Sequence, residues 1–205
     1  MEPEEFQQSA FKLPARLAEV FRSLRSGRHI CREDHADFRD LERNEDLYQI
    51  LLRGLGYELV LHGQGFYYLK GGNSLSTQRI QAITLFMLIL FQELESKKFQ
   101  DIERSWERTL LTRILNISEL PHFQTSQRRS MLFTLGVTAE TLQEKVLRPM
   151  SRFGIIEMIS SDRFRFRSPV YRFVDLCMRI ADEERISSKS DSGLPQSFGD
   201  DFVDQ

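Results

Sequence analysis

The sequence has little of what an enzyme, a secreted domain or a membrane protein relies on. Its 205 residues hold two cysteines, Cys31 and Cys177, far apart and outside any CxxC pair, so neither a disulfide framework nor a ribbon-type zinc site is encoded. There is no GxSxG elbow, no Walker A loop and no HExxH. Gly63-Gln-Gly65 and Gly71-Gly72 lack the GxGxxG spacing and the helix that should follow it, and read as turn glycines. No catalytic residue and no cofactor is therefore expected. The longest apolar run, Leu85 to Phe91, is too short to cross a bilayer. The opening residues are acidic and carry no basic-then-apolar signal pattern. A cytoplasmic protein with reduced thiols and no membrane partner is expected. Net charge is missing as well: 28 Lys and Arg against 30 Asp and Glu leave −2, which excludes a uniformly basic DNA coat.

What the chain does have is charge sorted into blocks. Lys12 to Arg32 holds six basic residues and one acidic, net +5. Glu33 to Asp46 holds seven acidic and two basic, net −5. Gln127 to Arg179 holds ten basic and five acidic, net +5, and Ile180 to Gln205 holds two basic and seven acidic, net −5. Local anion-facing and cation-facing surfaces are thus encoded although their total cancels.

Hydrophobic residues make up 40 % and include 16 Phe, enough for packed cores. Leu17, Val20, Phe21 and Leu24 predict a helix over 13–26, and a second, interrupted helix is predicted over 33–55. The period then falls to two in Tyr57–His62 and Phe66–Lys70 around a Gly-containing turn, which predicts a β-hairpin. Helices are further predicted over 76–95, 101–115, 126–136 and 139–153, then strands over 155–159 and 163–167 and a last helix from Pro169 to Glu184. In each half a helix ends in an apolar residue and Gly (Leu55-Gly56, Phe153-Gly154) and a hairpin follows at once. The chain therefore reads as mainly α with small β-hairpins, an α+β fold of two tandem winged-helix domains. Residues 1–74 form the first, residues 75–186 form the second with a linking and a terminal helix, and 187–205 form a disordered acidic tail.

In the second hairpin Phe164 and Phe166 alternate with Arg163, Arg165 and Arg167, so period two puts both Phe on the core face and all three Arg on the open face. Arg148 and Arg152 stand one turn apart on the preceding helix, and Arg128 and Arg129 lie on the one before it. These are the positions from which a winged helix would contact DNA; a solvated face with surface ion pairs is the alternative. Pro149 interrupts the helix that would read bases, so phosphate contact without sequence reading is the form expected. His29, Cys31 and His35 are the only cluster of metal-ligand types and lack a partner pair for zinc. Phe66 to Tyr68 and Leu85 to Phe91 are apolar enough either for burial against a partner or for two-sided packing within the chain.

Leu24-Arg-Ser-Gly-Arg-His-Ile30 resembles a segment of the MukE proteins nearly residue for residue. The hairpin Tyr57-Glu-Leu-Val through Gly65-Phe-Tyr-Tyr-Leu-Lys70, the segment Leu142-Gln-Glu-Lys-Val146, the Arg152-Phe-Gly154 bend and Phe164-Arg-Phe … Ser168-Pro-Val-Tyr-Arg-Phe173 follow the same family's order. The resemblance covers most of Leu13 to Asp182. A shorter chain, a reduced acidic tail and a compact loop before Leu142 point to the MksE branch, the subunit of MukBEF-like (MksBEF) bacterial condensins.

The resemblance implies a non-catalytic, kleisin-associated tandem winged-helix homodimer. It would clamp the kleisin MksF, reach the SMC ATPase MksB through that kleisin, leave ATP hydrolysis to that partner, and be nucleoid-associated. It also implies sequence-independent DNA contact through Arg152, with Arg148, Arg128 and Arg129 beside it, and a DNA or kleisin surface around Arg25 and Arg28. Chromosome segregation and plasmid defence, as in Wadjet-type operons, are both roles of such complexes. A stand-alone winged-helix transcriptional regulator, motivated by the helix-turn-helix at Ser126 to Phe153, is the alternative; a hydrolase lid or adaptor is a remote third.

Overall fold

The structure, a computed structural model, describes residues 12–70, 77–98 and 110–176. It is mainly helical with two small antiparallel sheets. Backbone contacts divide the chain into two compact units, Met1–Tyr171 and Arg172–Gln205, and both sheets lie in the first.

That unit runs α1 (Leu17–Arg25), β1 (Ile30–Cys31), α2 (His35–Arg43), α3 (Glu45–Gly54), β2 (Glu58–His62) and β3 (Phe66–Lys70). It continues with the long α4 (Thr77–Lys98), β4 (Ile114–Asn116), α5 (Ser126–Thr134), a π-helical turn (Gln143–Leu147) leading into α6 (Arg148–Arg152), and the hairpin β5 (Ile156–Met158) and β6 (Arg163–Phe166). The strand order is β1-β3-β2 in one sheet and β4-β6-β5 in the other. The same sequence of elements, a helix, a short strand, two helical segments and a hairpin, thus occurs twice.

Local chemistry explains most boundaries. The helix predicted over 13–26 begins only at Leu17, whose N–H donates to the Pro14 carbonyl. The helix predicted over 33–55 breaks at Asn44, whose side-chain amide donates to the Asp40 carbonyl 2.9 Å away while its own carbonyl receives the N–H of Tyr48. Thr125 caps α5 by accepting the N–H of Arg128. The helix predicted over 139–153 is not uniform. Pro149 has no N–H to donate to residue 145, and the turn before it is wound wider, with the N–H of Arg148 reaching back to Gln143. Two strands were missed by periodicity. β1 pairs with β3 through Ile30 and Tyr67, and β4 pairs with β6 through Leu115 and Phe164, so the predicted helix over 101–115 gives way to a strand at Ile114. Its residues 101–109, with Trp106, lie outside the described residues, as do the expected boundary at residue 74, Cys177 and the tail 187–205.

The first sheet and α1–α3 enclose Val20, Leu24, Ile30, Leu41, Tyr48, Leu52 and Tyr67, each fully buried apolar side chain contributing about 1.5–3 kcal/mol. The phenols stay in this core by donating to carboxylates, Tyr48 to Asp40 at 2.6 Å and Tyr67 to Glu45 at 2.8 Å. Burial, reinforced by those carboxylates, pushes both phenol pKa values up. Phe66, Tyr67 and the α4 residues Phe86, Met87, Ile89 and Leu90 are also buried within the chain, while Tyr68, Leu85, Leu88 and Phe91 of the same stretches are half-buried. α4 carries the turn at Pro121–Phe123 through His122, whose ring stacks on Phe86 at 4.0 Å. Its Nε2 lies 2.8 Å from the Phe86 carbonyl. Burial lowers this imidazole to about 4, so at neutral pH it is uncharged and Nε2–H is the donor. No helix among the described residues is long and apolar enough to cross a membrane.

Candidate nucleic-acid interface

The second hairpin and α6 hold the cationic side chains. In β6, Phe164 and Phe166 are buried and meet edge to face at 5.5 Å, while Arg163 and Arg165 face solvent. Arg165 donates to Glu157 on the neighbouring strand at 2.7–2.8 Å, and Arg163 donates to Ser160 in the turn at 3.2 Å. Both interactions are exposed and of small net strength, so either arginine can be drawn off by a competing anion.

Arg148 and Arg152 stand one turn apart on α6, exposed, and neither has an ion-pair partner among the described residues. They line a groove of about 620 Å³ whose opposite wall is the first turn of α4, with Gln78 and Arg79. Lys145 and Glu144 complete its charged lining, and Lys145 is anchored to the Gly136 carbonyl at 2.6 Å. Four cations therefore surround one carboxylate. Like charges a helical turn apart cost roughly 0.2–0.5 kcal/mol, and the positive end of the α4 dipole adds to the same potential. A bound anion would relieve both.

Arg79 was missed in the sequence. The available signal was a basic residue in the first turn of a long helix without acidic companions, opposite to the usual preference there.

Three expected arginines are placed otherwise. Arg128 is committed to Glu93 at 3.1 Å and to the Pro121 carbonyl at 3.2 Å, where it ties α5 to α4. Arg129, beside it, is exposed. Arg167 does not continue the alternation onto the open face. β6 ends at Phe166, and the backbone N–H of Arg167 donates to Ile155. Its guanidinium is buried at 6 % exposure and donates to Asp34 at 2.7 Å. Arg28, expected on a DNA or kleisin surface, donates to the other oxygen of the same carboxylate at 2.8 Å. Arg25 of that pair is exposed on the last turn of α1.

Asp34 is thus the centre of a hub that holds together the two halves of the unit. Its carboxylate also accepts the Cys31 N–H at 3.1 Å. Burial presses the carboxyl upward, but these hydrogen bonds and the two guanidinia outweigh it and hold its pKa below the ordinary value. Beside it, the backbone N–H and ring Nδ1 of His29 both lie 2.9 Å from the Phe153 carbonyl. Gly154 follows in the left-handed conformation, φ +73°, and a Cβ there would lie 2.8 Å from the His29 carbonyl. The glycine ending α6 is therefore required twice, by its dihedral and by this close approach. His29 and Cys31 belong to this junction. Burial pushes the Cys31 thiol up to about 12, and among the described residues no three His, Cys, Asp or Glu side chains are grouped to hold a metal.

A family model described as condensin complex protein MksE matches residues 15–178. No curated protein matches the chain.

Proposed function

Because the chain belongs to the MksE family of condensin complex proteins, we propose that it acts as the non-catalytic subunit that couples DNA to the kleisin of an SMC–kleisin complex. In this reading it is built from two tandem winged-helix domains, a reading supported by the repeated order of elements and the matching strand orders. It dimerises, binds the kleisin MksF, and through it serves the ATPase MksB in chromosome organisation or plasmid defence. ATP hydrolysis belongs to that ATPase.

The observation that carries the DNA half of the proposal is the groove of Arg79, Arg148 and Arg152, joined by the exposed arginines Arg163 and Arg165 on the hairpin that follows α6. These side chains suit phosphates. The short α6 with Pro149 in its first turn offers little straight helix for a major groove. Backbone contact supplies affinity and positioning without sequence information. Arg128 and Arg167, tied to Glu93 and Asp34, play no part in it; Arg129 is exposed but does not line the groove.

Titration of the full chain with two duplexes of unrelated sequence tests the reading. Equal affinities are expected, with log K falling against log salt at a slope of roughly −3 to −4 for about four phosphate contacts. A preference of about 10³ or more for one sequence, the lower end for specific DNA binders, would favour the transcriptional regulator instead.

A further inference from the structure

An apolar groove opens in the first half of the chain and shares no lining residue with the groove of Arg79, Arg148 and Arg152. It runs between α1 and α3, has a volume of about 550 Å³, and every side chain lining it is apolar, among them Leu13, Leu17, Ala18, Phe21, Leu51 and Leu55. Ala18 is exposed on the wall, and Leu13 and Leu55 keep 51 % and 61 % of their surface at its rim. The helices forming it pack their other faces on α2 and the first sheet, so the groove is a surface left over after the core is complete. Its rim is charged with one sign. Arg22 and Arg25 stand four residues after Ala18 and Phe21, so they share the groove's side of α1, and Lys12 stands beside Leu13. All three are exposed and without an ion-pair partner among the described residues. The acidic residue of α1, Glu19, lies on the opposite face by the 100° step of the helix.

An apolar trough between two helices with cations at its edges fits an amphipathic helix, which places side chains at i, i+3, i+4 and i+7 into such a groove. We propose that this groove is the docking site for an apolar helical segment of the kleisin partner carrying acidic residues on its flank. The inference rests on the partner reading above and divides the first basic block: Arg22 and Arg25 serve the protein partner, and DNA is left to α6 and the second hairpin. A nucleic acid gains nothing from a trough without a donor, whereas every methylene a partner buries there adds to affinity.

The test measures the affinity of the full chain for a purified MksF kleisin from the same genome, together with DNA affinity, mass by light scattering and Tm. Ala18→Glu with Leu55→Glu puts charge into the trough at two exposed positions, so Tm should stay within about 3 °C of wild type. Kleisin affinity should fall at least about tenfold with DNA affinity unchanged. Arg22→Glu with Arg25→Glu leaves the packing untouched and should also weaken kleisin binding about tenfold at low salt, the difference shrinking at high salt.

Unchanged kleisin affinity in both variants overturns the proposal while leaving the partner reading standing. A drop from dimer to monomer with unchanged kleisin affinity assigns the groove to a second copy of the chain. A lowered Tm with unchanged affinity assigns it to the chain's own residues 1–11. If wild type does not bind the kleisin at all, the partner reading and the docking site fall together.

Discussion

Changing Arg148, Arg152, Arg163 and Arg165 together to Glu is expected to lower DNA affinity at least about 10³-fold at low salt and to leave the fold intact. Hydrogen bonds to charged groups are worth roughly 1.5–3 kcal/mol each, so four lost contacts and the repulsion that replaces them exceed the 4 kcal/mol that a 10³-fold change represents. The fold should survive because the four side chains hold little of it together. Arg148 and Arg152 have no ion-pair partner among the described residues, and the exposed Arg163 side chain donates to Ser160 with Asp162 nearby. Arg165 spans an exposed pair with Glu157, 46 % and 44 % accessible, worth at most about 1 kcal/mol. Far-ultraviolet circular dichroism and Tm should match wild type. Affinity within threefold of wild type at 50 mM salt would mean that the face is merely solvated. Arg128 and Arg167 are left out of this variant because reversing either would strike Glu93 or Asp34 instead.

The second large effect is on stability. Asp34→Ala should destabilise the chain by about 3–5 kcal/mol, because it leaves the guanidinium of Arg167, only 7 % accessible, buried without its counter-charge. Arg167→Met added to Asp34→Ala should recover part of the loss, since removing both charges avoids the stranded one. Urea unfolding of the two single variants and the double variant measures the coupling. Additive losses, or a loss below about 0.5 kcal/mol for Asp34→Ala, would mean that the hub carries no energy.

The hub also has a pH signature. The folded pKa of Asp34 lies below that of the unfolded chain, so its contribution is fully present above the unfolded value and is lost as pH falls through the folded value. The stability gap between wild type and Asp34→Ala should therefore narrow on acidification. Gly154→Ala attacks the same junction from the other side, through its φ of +73° and the His29 carbonyl, and should cost more than about 2 kcal/mol.

How much of this was legible in the sequence depended on the range of the interaction. The hairpins Glu58–Lys70 and Ile156–Phe166 were legible because alternation and turn residues are local. The exposed pair Arg148 and Arg152 was legible from helical spacing. β1 and β4 were not: segments of two and three residues are strands only because β3 and β6 lie alongside them. Arg167 followed the alternation on paper, but its partner Asp34 is 133 positions away, and a tertiary ion pair decided its orientation. Arg128 was diverted in the same way by Glu93, 35 positions away. Arg79 carried a local signal, yet its place opposite α6 depends on how α4 packs against the π-helical turn. Leu17 and Phe21 had the periodicity of core residues, and only the packed helices reveal that they also line an open trough.

The central claim is that one chain holds DNA on one face while a kleisin occupies another. Retention of a labelled duplex on immobilised kleisin measures this directly. Wild-type chain should carry the duplex onto the kleisin beads. The four-arginine variant should bind the beads equally well and carry none. Displacement of the chain from the kleisin by DNA, or equal retention of DNA by the variant, would contradict the account.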